Sequence, residues 1–247
     1  MTAPRLSHRT APTPVMLGGR RRRLAAQRQS ILSEPQGNLP PQLERGNSKT
    51  GSSGGRFRSV WVWNLPAAAT CPGASDWCLG TCYNGDERPD VYNFGQWSEN
   101  WSWAIHEPDR LAKSIRAQLA SAPAPSAVRI HSSGDFYSEE YVNFWMAIVR
   151  ATPSTVYWAY TRSWAVDHLR GSLENLRSMA NLQLFASWDA TMPDPPDGWR
   201  LSWVKSSDSA KPPSLLRCPE ETHANTTCAT CEHCLKPHSR GVWFSLH

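Results

Sequence analysis

Seven cysteines carry the strongest chemical signal in this chain, and they fall into two clusters with none left over. Cys71, Cys78 and Cys82 lie in TCPGASDWCLGTCYNGD, and Cys218, Cys228, Cys231 and Cys234 lie in RCPEETHANTTCATCEHCLKPH. The N-terminus lacks the order of a secretory signal, and an odd cysteine count then speaks against a disulfide framework. Thiolates at short, unequal spacings on loops with Gly and Pro suit a metal ion or cluster instead. A structural zinc site takes four ligands, commonly from two C-x-x-C-like pairs. The first cluster supplies three, with six and then three residues between them. His106 or Asp76 would complete a zinc site there only at an unfamiliar spacing. Three thiolates suit a [4Fe–4S] cluster with one iron left open. In the second cluster two residues separate each of the last three cysteines, and nine separate Cys218 from Cys228. That run matches ferredoxin-type ligation, in which successive thiolates bind the corners of a cube. With His223, His233 and His238 nearby, Zn2+ stays open as the alternative at this C-terminal site.

The elements that must hold these loops read as alternating strands and helices. SVWVWNL (Ser59–Leu65) is a β-rich run halted by Pro66, and similar runs start at Val128, Thr155 and Leu182, those three starts lying 27 residues apart. Between them Tyr141, Phe144, Trp145, Ile148 and Val149 share one helical face, behind Ser138 as N-cap with Glu139 and Glu140 in the first turn. Val166, Leu169, Leu173, Leu176 and Ala180 form a second stripe. A further helix starts near Pro108 and carries Leu111, Ile115 and Leu119. Trp199–Ser206 and Gly241–His247 read as additional strands. Strands alternating with helices at a steady interval predict βαβ units and a mostly parallel sheet. The expected fold class is therefore α/β, as a partial (β/α) barrel or, in competition, a flat doubly wound sheet.

Each strand ends in polar residues: Ser133, Gly134 and Asp135; Thr161, Arg162 and Ser163; Ser187 and Asp189; Lys205 and Ser206. Parallel α/β proteins bind ligands beyond the carboxyl ends of their strands, so these residues are expected to converge on one site. The three-cysteine loop follows the first strand and belongs to the same face. An open iron beside a cavity takes amino and carboxylate ligands, the arrangement for reductive cleavage of S-adenosylmethionine (SAM). His131 is read as a packed, hydrogen-bonded residue within its strand. NSKTG (Asn47–Gly51) has the look of an anion-binding loop but lacks the Gly-x-x-x-x-Gly-Lys pattern of a phosphate loop.

Composition sets the outer limits. The 247 residues include 40% hydrophobic side chains and 13 Trp, enough for a sizeable core. No apolar run reaches eighteen residues, so no membrane-spanning helix is expected, and a cytoplasmic location follows from that and the missing signal. The net charge of +5 belongs to one end: residues 1–50 hold nine Lys or Arg against two Glu, leaving 17 basic and 19 acidic residues in 51–247. Residues 1–50 are read as a disordered Arg-rich tail, able to touch nucleic acid through Arg20–Arg23. Residues 51–210 are read as the partial barrel with its three-cysteine loop, and 211–247 as a Cys-rich metal- or cluster-binding segment. No Ser-His-Asp order or nucleophile elbow points to a hydrolase.

Together NSKTG, WNLPAAATCPGASDWCLGTCY, RIHSSGDFYSEEYVNFW, VYWAYTRSW, LFASWD and the terminal CPE with its cysteine triplet resemble the gene product 88 family of actinobacterial phages, plasmids and chromosomes. The resemblance covers about residues 46–247. More distantly, a three-cysteine loop ending in Cys82–Tyr83 after the first strand resembles the radical SAM superfamily, although gaps of six and three residues replace that superfamily's usual three and two. The second resemblance implies an enzyme in which Cys71, Cys78 and Cys82 hold the catalytic cluster. It further implies that Ser133–Gly134–Asp135 meets the SAM amino group, with Asp135 accepting a hydrogen bond, while Arg162 pairs with the SAM carboxylate and Ser163 or Ser187 meets the ribose. Cys218, Cys228, Cys231 and Cys234 would carry an auxiliary cluster or plug the barrel. A flavodoxin- or ferredoxin-like reductant is the implied partner. The rival reading is a non-catalytic, metal-stabilised module that binds nucleic acid through its basic tail and tryptophans.

Overall fold

A computed structural model describes residues 39–47, 49–51, 59–82, 94–205 and 215–246. Among them, seven strands form one sheet: β1 (Val60–Trp63), β2 (Ala127–Ile130), β3 (Val156–Thr161), β4 (Leu182–Trp188), β5 (Arg200–Lys205), β6 (Leu216–Arg217) and β7 (Val242–Ser245). Their order is β1-β2-β3-β4-β5-β7-β6, and every pairing is parallel. Six α-helices accompany them: α1 (Asp76–Thr81), α2 (Phe94–His106), α3 (Pro108–Leu119), α4 (Glu139–Ala151), α5 (Asp167–Arg177) and α6 (Cys228–Cys231). β1 to β5 follow chain order without the reversal on which a doubly wound sheet is built. Crossovers between parallel strands are right-handed, so steps taken always in one direction lay their helices on one face.

Alternation along each strand assigns the two faces. On one, Trp61, Trp63, Val128, Ile130, Tyr157, Ala159 and Leu184 join the inward stripes of α3, α4 and α5 in the main core. Trp63 and Trp145 meet edge to face at 6.1 Å, and Trp63 Nε1–H donates to Tyr141 Oη at 2.9 Å. On the other face Val60, Ala127 and Trp158 pack on Ala229 and Leu235, and Phe185 and Val242 on Cys218. The C-terminal region is thus no appended tail: it adds β6 and β7 to the sheet and covers its second face. The expected helix starts hold. Ser138 Oγ accepts from Tyr141 N at 3.2 Å, and Pro108 opens α3.

Part of the segment expected to be disordered is packed. Leu43 is 2% exposed, and Glu44 exchanges two 2.8 Å backbone hydrogen bonds with Val62, antiparallel to β1. Thr50 is fully buried. The boundary drawn at residue 50 therefore cuts through a strap that lies against the outer edge of β1. Residues 1–38, with Arg20–Arg23, lie outside the described residues. No described helix is long and apolar enough to cross a membrane.

Replacing Leu43 by Ala empties a buried site and should cost about 2 kcal/mol or more in a denaturant titration. A loss below about 0.5 kcal/mol, the value for a side chain outside the core, would show that the strap does not hold.

Candidate functional site

A cavity of about 360 Å3 opens at the carboxyl ends of the strands, on the face opposite the main helical layer. All seven cysteines line it. The two clusters, expected to form separate sites, therefore share one space.

The three-cysteine loop is fastened to the strand ends from below. Thr70 Oγ1 donates to Pro66 O at 2.8 Å, and Cys71 N donates to Ala68 O at 3.3 Å. Ser75 is the N-cap of α1: its hydroxyl accepts from Cys78 N at 3.0 Å and donates to Asp189 Oδ2 at 2.8 Å. The same Asp189 oxygen forms a buried ion pair with Arg162. Gly73 lies so close to the Arg162 carbonyl that a Cβ at this position would overlap it. Asp135 completes the network, accepting from Thr161 Oγ1 (2.6 Å), Phe136 N (2.7 Å) and Arg162 N (2.8 Å). Its burial at the strand ends raises its pKa even against these donors. Asp189 is instead held below the usual carboxylate range: burial opposes this, but Arg162, Thr191 and Ser75 outweigh it.

Most of the residues singled out in the sequence are thus brought together. Ser133, Gly134, Asp135, Arg162 and Ser187 all line the cavity. Asp135 accepts from β3 and from its own segment, and one guanidinium nitrogen of Arg162 is engaged by Asp189 and Met192. Ser163 is fully buried outside the lining, and its N–H donates to Thr161 Oγ1 at 3.0 Å. Asp76 and His106, considered as a fourth zinc ligand, also lie outside the lining.

The C-terminal set is fastened from the opposite side. A reciprocal capping box between Thr227 and Thr230 starts α6. Lys49 and Thr50 of the NSKTG segment clamp that helix, since Cys228 N donates to Lys49 O at 2.9 Å and Ala229 N to Thr50 O at 3.1 Å. Arg200 of β5 donates to the carbonyls of His233 (2.7 Å), Lys236 (2.9 Å) and Arg240 (3.0 Å), and Tyr160 Oη donates to Cys234 Sγ at 3.0 Å. Of the three nearby histidines only His233 lines the cavity, and its Nδ1 is 2.8 Å from His238 Nε2.

All seven cysteines are free thiols. Burial pushes Cys78 and Cys228 up to about 11, against the opposing charges of Arg162 and Arg129, and Cys234 to about 12, against the Tyr160 hydroxyl. Cys71 rises through burial, through Asp135, and through Cys78 and Cys82, which places the three sulfurs within one another's fields. Among the described residues, no three His, Cys, Asp or Glu side chains are grouped closely enough to hold one metal ion.

Sequence reading missed Arg129 and Tyr160, which reach the cavity from β2 and β3, and Lys49 from the strap. Strand alternation offered the one available signal, since Trp158 and Tyr160 share a face opposite Tyr157 and Ala159. His131 was placed within its strand; it instead follows β2 in the left-handed region, φ 66°, on the cavity wall.

Fold and site together define an all-parallel α/β protein with a cysteine-lined cavity at its strand ends. The model of the Gene product 88 family matches residues 41–239, and the chain belongs to that family. It is 29% identical over 204 residues to the Gene 88 protein of Mycobacterium phage L5, covering 71% of this chain and 82% of that protein. The Gene 88 protein of Mycobacterium phage D29 is 27% identical over 196 residues, covering 67% and 78%. No solved structure matches the chain. Neither the family description nor these two names mention iron–sulfur or radical SAM chemistry.

Two outcomes follow from the site's electrostatics. Asp189→Ala leaves the Arg162 charge buried without its partner and should cost about 3 kcal/mol in equilibrium unfolding; a loss under about 0.5 kcal/mol would show the pair to be inert. Burial, reinforced by Arg129, lowers the His131 pKa to about 3, so the folded ring stays neutral where the unfolded ring protonates. Stability contributed this way is complete above pH 6.5 and falls by up to about 1.4 kcal/mol per pH unit between there and about pH 3. His131→Gln should flatten that slope by one proton; an unchanged slope would contradict the assignment.

Proposed function

We propose that this chain is an iron–sulfur protein on a partial (β/α) barrel and works as a radical SAM-like enzyme. Cys71, Cys78 and Cys82 would hold a [4Fe–4S] cluster open at one iron, and Cys218, Cys228, Cys231 and Cys234 a second cluster. The observation that carries this reading is the convergence of all seven free thiols, from both ends of the fold, on one cavity at the carboxyl ends of parallel strands. The sequential strand order, with helices on the opposite face, supports the barrel.

The donor set fits a cluster. Soft thiolates favour zinc, Cu(I) or iron–sulfur clusters. A bound cluster would also reverse the thiols' raised pKa values, since a cation favours the thiolate.

Such a cluster supplies an electron for the reductive cleavage of SAM, and a flavodoxin- or ferredoxin-like protein would recharge it. The protein's own share is positional. Asp135, Arg162, Asp189 and Ser75 lock the three-cysteine loop to β3 and β4. Ser133 and Gly134 after β2 and Ser187 of β4 line the cavity and would contact the bound cofactor.

Iron and sulfide analysis of anaerobically purified protein, with electron paramagnetic resonance after dithionite reduction, tests the reading. The wild type should be brown and hold up to two four-iron clusters. The triple variant Cys71→Ala, Cys78→Ala, Cys82→Ala should lose one cluster and the dithionite-dependent release of 5′-deoxyadenosine from SAM. A colourless, zinc-loaded wild type would overturn the proposal.

A further inference from the structure

Tyr160 of β3 lines the cavity, and aromatic packing sets the place of its ring. The ring meets Phe185 edge-on at 5.1 Å and Phe244 at 5.5 Å. The Arg129 guanidinium rests over it, Cζ 5.3 Å from the centroid. Held in this way, Tyr160 Oη donates to Cys234 Sγ at 3.0 Å. A cation on a ring face draws on the electron density of the phenol, which makes its O–H the stronger donor. A cysteine sulfur that binds metal has lost its proton and can only accept.

Nearby charge divides the two cysteine sets. Burial opposes the thiolate in both. Around the C-terminal set, however, Arg200 favours the thiolate of Cys234, Arg129 and Lys49 that of Cys228, and Lys49 that of Cys218 against Glu221 and Glu220. Arg200 is anchored for this purpose, since the carbonyls it donates to, those of His233, Lys236 and Arg240, bracket Cys234 in the chain. Around the three-cysteine loop the balance is reversed. Asp135 opposes the Cys71 thiolate, and at Cys78 both Asp189 and Asp135 act against an Arg162 already paired with Asp189.

Net charge and hydrogen bonds to the sulfurs set the potential of an iron–sulfur cluster. Reduction adds one negative charge, which cations and donors stabilise and carboxylates destabilise. Building on the two-cluster reading, and standing only with it, we propose that the C-terminal cysteines hold the more easily reduced cluster and that Tyr160 raises its potential by donating to Cys234 Sγ. The first electron from a one-electron reductant then resides there, as [4Fe–4S]2+ becomes [4Fe–4S]+ with no bond made or broken.

The test is a potentiometric titration of the full chain, purified anaerobically and followed by electron paramagnetic resonance. The wild type should show two reduction waves, and the triple variant Cys71→Ala, Cys78→Ala, Cys82→Ala should keep the higher one. Tyr160→Phe preserves the ring contacts and deletes one hydroxyl. It should make reduction of that cluster roughly tenfold less favourable, a downward shift of about 59 mV for one electron, and leave the lower wave in place. Replacing Tyr160 by 3-fluorotyrosine, whose more acidic phenol donates more strongly, should move the same wave upward. Tyr157→Phe, which deletes a phenol on the opposite sheet face, should move neither wave. Two clusters with the lower wave kept in the triple variant, or a higher wave unmoved by both changes to Tyr160, would overturn this inference and leave the two-cluster reading intact. A wild type with one iron cluster or none would overturn both.

Discussion

The Ser75–Asp189–Arg162 relay, continued through the Arg162 backbone to Asp135, is the constraint on which the site depends. It links the ends of β2, β3 and β4 to the one short helix that carries Cys78. Parallel strands end as a row of unpaired backbone groups and loops that nothing in the sheet itself orients. Here a buried ion pair and one further carboxylate, Asp135, supply that orientation. Burying an ion pair is costly relative to an apolar alternative, so its contribution is geometric rather than a gain in stability. Once Gly73 is pressed against the Arg162 carbonyl, the three-cysteine loop has little freedom left.

A second constraint acts from the other face. A parallel sheet must be covered on both sides, and among the described residues α3, α4 and α5 cover only one. The C-terminal region covers the other, and by doing so carries Cys218, Cys228, Cys231 and Cys234 over the strand ends. Arg200 and the strap at Lys49–Thr50 hold it there through main-chain hydrogen bonds. Covering the sheet and closing the cavity are thus achieved by the same segment. Loosening Arg200 would disturb both.

Local pattern was legible in the sequence, and long-range placement was not. The spacing of β2, β3 and β4, the Ser138 cap and the helix at Pro108 all follow from periodicity and side-chain chemistry within a few residues. β6 has two residues and no pattern to read. The order of the strap at Leu43 rests on contacts with β1 and on Asn100 and Gln118, whose side chains receive the backbone N–H groups of Gln42 and Leu43. No local composition announces such contacts. The cysteines were recognisable by type and spacing, but their meeting in one cavity is a tertiary fact. His131 was misplaced because its apolar neighbours suggest a continuing strand, while its left-handed backbone is set by the turn toward Gly134. At Gly134, φ 83°, a Cβ would lie 2.6 Å from Leu65 Cβ.

The central claim is that two sets of sulfur ligands from distant parts of the chain hold iron within a single chamber. Anomalous diffraction from anaerobically grown crystals, recorded on both sides of the iron absorption edge and again at the zinc edge, tests it most directly. The account predicts two iron peaks in that chamber, one bounded by Cys71, Cys78 and Cys82 and the other by Cys218, Cys228, Cys231 and Cys234. Zinc in either place, or no metal beside the three-cysteine loop, would contradict it.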